Sequence, residues 1–105
     1  MRASEMTESK TPQNCADMAD LRLQIDRIDA ALIDLLVRRA SYIDRAIDIK
    51  KAANLPARIT SRVDEVIENV RRIAADSDLD PDLAQALWAQ LIEWSIQREA
   101  VQIPE

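Results

Sequence analysis

From Leu21 to Lys50 the chain has neither glycine nor proline, and Leu21, Ile25, Ile28, Leu32, Leu35, Arg39, Tyr42 or Ile43, Ala46 and Lys50 follow one another at steps of three or four. That spacing lines one face of a helix. A helix from about Asp20 to Ala53 would span roughly 50 Å, too long for the core of one small domain, so the sequence predicts that it packs along a second long helix. Strict alternation of threes and fours over several heptads favours a near-parallel crossing, as in coiled coils and bundles. The 105 residues make one domain's worth of chain. So short a chain buries a modest share of its surface alone, and a partner subunit would help it.

Residues 1–17 lack this periodicity and read as a flexible N-terminal tail, with a helical domain over 18–103. Asn54 and Pro56 end the first helix, because proline disfavours helical backbone in the residue before it. After a loop over about 54–60, Thr60 or Ser61 is expected to cap a second helix, with Asp64 and Glu65 in its first turn. Its apolar stripe is Val63, Val66, Ile67, Val70, Ile73 and Ala74. Asp76 to Asp80 form a polar turn, then Asp80 caps a third helix with Pro81 in its first turn, the preferred place for proline. That helix carries Ala84, Leu87, Trp88, Leu91, Ile92, Trp94 and Ile96 and ends before Pro104. No strand-like alternation of useful length occurs, so the predicted class is all-α with three helices, one long and two shorter.

The absences narrow the chemistry. With no His and a single Cys, Cys15, a Cys/His zinc site, a Ser-His-Asp triad and a Cys-His dyad are excluded, and so is an internal disulfide. With no Gly, the phosphate-cradling loop and the dinucleotide fingerprint are excluded too. Any chemistry falls to Arg, Lys, carboxylates and hydroxyls. A net charge of −5 and 3% aromatic residues argue against nucleic acid. No apolar run approaches the roughly 18 residues of a membrane span, and the polar start lacks a signal-peptide centre, so a cytoplasmic protein is expected.

Several polar groups stand where the helical pattern calls for apolar ones. Residues eleven apart on a helix differ by about 20°, so Arg39 and Lys50 share the face of Leu32 and Leu35. Arg22, seventeen before Arg39, falls about 100° away and is expected to serve a different place. On the third helix Trp88, Ile92, Ser95 and Glu99 step by 4, 3 and 4, so a hydroxyl and a carboxylate extend an apolar stripe. The plainest account has Arg39 snorkelling or pairing with a carboxylate such as Glu99, Lys50 near a fraying end and Ser95 bonding back to its own helix. Together, however, mostly positive groups converging from two helices suggest a small anion, and Arg suits carboxylates, which its planar fork binds in pairs. The remaining charges of the first helix, Asp26, Arg27, Asp29, Asp34 and Arg38, read as a solvated face. Trp88 and Trp94 read as core or dimer contacts, and Cys15 as inert.

The residues at these spacings resemble the all-helical AroQ class of chorismate mutases over about Thr11 to Ile103. The resemblance rests on Arg22 in "LRLQID", Arg39 in "LLVRRASYI", Lys50 in "DIKKA", Arg62 in "TSRVDEV", and Ser95 and Glu99 in "EWSIQRE". It implies an intertwined homodimer in which Arg22 enters the partner's site, and a Claisen rearrangement of chorismate to prephenate that uses no cofactor and no metal. By the same resemblance Arg22, Arg39 and Arg62 hold the two substrate carboxylates with help from Ser95, Lys50 donates to the breaking ether oxygen, and Lys50, Glu99 and Arg39 are catalytic. Many family members carry Gln at the position of Glu99. An ionised carboxylate cannot donate to an oxygen gaining charge, so Glu99 is read as acting in its protonated form.

The isochorismate-pyruvate lyase branch of the same fold is also similar. The start "TPQNCADMADLRLQIDRID" resembles lyase starts, and Val63 follows Arg62 where typical mutases have an acidic residue; Ile59 replaces a second one. Ser95, Glu99 and the length from Lys50 to Arg62 resemble the mutases instead. The expected function is therefore chorismate mutase, a mutase on 4-amino-4-deoxychorismate included, with the lyase that gives salicylate and pyruvate as the alternative. A non-catalytic helical dimer, its stripe charges fixing register, is the reading from another class.

Overall fold

The computed structural model describes residues 10–103 and contains three α-helices, α1 (Met18–Ala53), α2 (Thr60–Asp76) and α3 (Pro81–Ala100), preceded by a short 3-10 turn at Pro12–Asn14. Among the described residues there is no strand, and the class is all-α as expected. The chain divides after Arg39 into two compact units.

The first unit holds the start of α1 and the segment before it. Residues 1–9 of the expected tail lie outside the described residues; of residues 10–17, Lys10, Ala16 and Asp17 bond to the helix. Lys10 Nζ donates to Asp20 Oδ2 at 2.9 Å, and the Ala16 N–H donates to the same oxygen at 3.1 Å. These contacts hold the Asp20 carboxyl below its ordinary range. Asp17 Oδ1 accepts from the Asp20 N–H at 2.9 Å, a cap that starts α1 at Met18, two residues before the expected position. Along this unit's part of α1, Leu23, Ile25, Ile28, Leu32, Ile33, Leu35 and Val37 are exposed.

The second unit comprises the end of α1 from Ala40, the loop, and the hairpin of α2 and α3. Its core is a cluster of Ala57, Ile92 and Ile96, against which Val63, Val66, Ile67, Trp88 and Ala100 pack. Ala74 and Ala84 are buried where the two helices approach their turn. Ile73, counted in the α2 stripe, is 56% exposed, and Leu87 and Trp94 of the α3 stripe are about as open. Arg98 on α3 ties back to α1, donating to both oxygens of Asp44 at 2.6 and 3.1 Å while lying over the Trp94 ring at 5.3 Å. This fork holds the Asp44 carboxyl below the usual range.

Two expectations about helix ends are corrected. Neither Thr60 nor Ser61 caps α2: the N-cap position is Ile59, without a side-chain cap, and its carbonyl accepts from the Arg62 and Val63 N–H groups. Thr60 is already the first helical residue, so Asp64 and Glu65 fall beyond the first turn. The start of α3 agrees with expectation, with Pro81 at its head and Asp80 Oδ1 accepting from the Asp82 N–H at 2.9 Å. The helix ends at Ala100; Pro104 lies outside the described residues.

Candidate active site

The 3-4 spacing of α3 turns Ser95 and Glu99 inward beside Ile92 and Ile96, and both polar residues are 4% exposed. A carboxylate so deep needs a partner. It has one: Lys50 Nζ, from the last turn of α1, lies 2.5 Å from Glu99 Oε1. The same ammonium donates to the Ala57 carbonyl at 2.8 Å, and its side chain is 18% exposed. Of the three N–H bonds of an ammonium, these contacts engage two.

The helices thus bring together Lys50, Glu99 and, one turn back along α3, Ser95. The Ser95 hydroxyl donates to the Leu91 carbonyl at 2.8 Å, the backbone contact expected of a serine within a helix. One other part of the plainest sequence account is replaced: Lys50 pairs with Glu99 in a helix end held by the following loop, not a fraying one. Arg62, also in this unit, is mainly exposed and donates to Glu65 one turn on, at 2.6 Å. The positive excess expected at the site is therefore not a property of Lys50 and Arg62 by themselves: in this unit each leans on a carboxylate.

Arg39 and Arg22 belong to the first unit, where Arg39 is half-buried and Arg22 exposed. Sequence reasoning missed the Ala57 carbonyl, since a backbone acceptor in a loop has no residue-type signature. A groove of about 490 Å³ elsewhere in the second unit is lined by Asp44, Trp94, Arg98 and their neighbours, and includes none of the expected site residues. Ile59 and Val63, the positions where acidic residues are missing, are half-buried, and Val63 packs on the core cluster. A carboxylate at Val63 would have to be accommodated at that apolar contact.

The profile of the family described as chorismate mutase type II matches residues 21–100, which takes in all six expected site residues. The chain belongs to the chorismate mutase type II family. Among its relatives, the isochorismate pyruvate lyase of Pseudomonas aeruginosa is 36% identical over 91 residues, 86% of this chain and 88% of the lyase. The 4-amino-4-deoxychorismate mutase of Streptomyces pristinaespiralis is 32% identical over 82 residues, 77% of this chain and 64% of that protein. A bifunctional chorismate mutase/prephenate dehydratase of Aquifex aeolicus is 39% identical over 57 residues, 54% of this chain but 16% of the relative. Membership in the chorismate mutase family gives the Lys50–Glu99 pair a chemical context, an all-α scaffold with an ammonium and a carboxylate brought together at the junction of loop and helices. Among the described residues no helix is long and apolar enough to cross a membrane.

Proposed function

We propose that this chain is a chorismate mutase that converts chorismate to prephenate. The observation that carries the reading is the Lys50–Glu99 pair, a hydrogen-bonding couple set between α1 and α3 and steadied by the Ala57 carbonyl. A Claisen rearrangement requires no nucleophile or general base. It requires that a flexible dicarboxylate be held in its folded, near-attack chair and that charge developing on the ether oxygen be met by preorganised donors. Lys50 supplies a donor for that oxygen. Glu99 supplies a second when protonated, and Ser95 assists at a carboxylate.

Arg39 and Arg62 hold the substrate carboxylates from the same chain, Arg62 exchanging Glu65 for substrate. Arg22 completes the site from a second copy in an intertwined homodimer. The exposed apolar residues of α1, from Leu23 to Val37, support that assembly, since a helix surface this apolar gains from burial against a partner. A cytoplasmic setting fits a reaction on a small soluble anion.

A second reading, isochorismate-pyruvate lyase, is favoured by the relative of that name, which this chain matches over 88% of its length, and by Val63 after Arg62. One assay separates the two: purified protein is given chorismate and isochorismate in parallel, and prephenate, salicylate and pyruvate are resolved by chromatography, with Lys50→Ala as control. Prephenate as the faster product, reduced roughly 100-fold or more in the variant, is the expected result. Salicylate and pyruvate as the faster products would make the chain a lyase, and no turnover of either substrate would leave a helical binding module.

A further inference from the structure

Lys50 is held twice by the loop that follows it. Its side chain donates to the Ala57 carbonyl at 2.8 Å, and its own carbonyl accepts from the Leu55 N–H at 2.9 Å. With the Asn54 N–H turned to the Lys51 carbonyl at 3.4 Å and Asn54 at a φ of 57°, this is a Schellman ending, in which a left-handed residue reverses the chain after the last helical turn. Glycine usually occupies that place, yet this chain has none. Asparagine is among the side chains that tolerate the left-handed region best. The reversal returns the chain over the end of α1, and three residues on, Ala57 is 4% exposed and packed against Ile92 and Ile96 of α3. Its carbonyl is thereby a fixed point from which the ammonium hangs.

Resting on the reading of Lys50 as the donor to the ether oxygen, we propose that Asn54 is a positioning residue for that ammonium, acting through its left-handed backbone and the Ala57 carbonyl. The side chain of Asn54 touches no substrate in this account; what matters is the backbone angle it accepts. The protein carries its own control. At the end of α2, Asp78 has a φ of 60°, the Leu79 N–H donates to the Ala74 carbonyl at 2.8 Å and the Asp78 N–H to the Ala75 carbonyl at 3.4 Å, the same ending at a turn that holds no proposed catalytic group.

The test compares Asn54→Val, Asn54→Gly and Asp78→Val in the full chain, because a β-branched residue fits the left-handed region badly and glycine fits it freely. Both valine variants are expected to lower the melting temperature, but Asn54→Val alone lowers kcat on chorismate, roughly 10- to 100-fold, with KM little changed. In ¹⁵N-labelled protein without substrate, the Lys50 ammonium protons exchange slowly in the wild type and Asp78→Val, fast in Asn54→Val, and slowly again in Asn54→Gly. Should Asn54→Val fail to fold, Asn54→Ala imposes a milder strain and is read the same way. Wild-type kcat and slow exchange in the Asn54 variant, or an equal loss of kcat in Asp78→Val, would overturn the proposal. The exchange measurement needs no turnover, so it decides the role of Asn54 even if the wild type proves inactive on chorismate.

Discussion

At the scale of single residues, the proposed chemistry turns on the contact between Lys50 and Glu99. With 5% of its side chain exposed, Glu99 depends on Lys50, and Lys50 keeps the Ala57 carbonyl as its other acceptor. Glu99→Ala leaves the ammonium short of a partner and is expected to cost roughly 1–3 kcal/mol of stability in urea denaturation. Glu99→Gln keeps an oxygen for Lys50 and adds N–H donors that need no proton uptake. With Glu99 as a donor to the ether oxygen, Glu99→Gln retains most of the kcat on chorismate while Glu99→Ala loses it; an equal loss in both variants would remove that role. The sequence showed these residues because each interrupts an apolar stripe, a signal strong enough to mark Lys50, Ser95 and Glu99. It could not show which carboxylate meets which cation. That choice is made by the loop, whose buried Ala57 brings a carbonyl to Lys50, and by the i, i+3 spacing that gives Arg62 the nearby Glu65.

At the scale of elements, three helices were legible because their apolar spacing is regular, whereas their ends depend on local hydrogen bonds that several residues compete to make. Asp80 is legible as a cap, since Pro81 behind it leaves little choice. Thr60 is not a cap, because Ile59 already supplies the carbonyl that opens α2 and the hydroxyl residues enter the first turn. Asp17 has no sequence signal as a cap because it lies in a stretch without periodicity, where the turn at Pro12–Asn14 and the Lys10–Asp20 contact bring the chain onto the helix. The difference is measurable. Asp80→Ala is expected to lower stability by about 1 kcal/mol, while Thr60→Ala stays within about 0.5 kcal/mol of wild type in the same denaturation experiment.

At the scale of the whole molecule, the proposed site draws its cations from two copies of the chain. α1 presents Ile25, Ile28, Leu32 and Leu35 at helical spacing with half or more of each exposed or nearly so. Burial of such side chains is worth roughly 1.5–3 kcal/mol each against leaving them in water, enough for a second copy to hold the assembly together. The periodicity predicted a long partner helix from sequence, and the second copy is the assembly proposed to supply it. In a two-fold dimer each site then combines Lys50 of one chain with Arg22 of the other. Arg22→Ala and Lys50→Ala each remove a group from both sites of their own homodimers. Unfolding the two variants together and refolding the mixture makes hybrids in which one site of each pair is intact. Measured as prephenate formed from chorismate, the mixture is predicted to recover about a quarter of wild-type activity, since about half the dimers are hybrid and each has one good site. A mixture as inactive as its two components would contradict the account, because the proposed catalytic lysine and the arginine would then not meet across two chains.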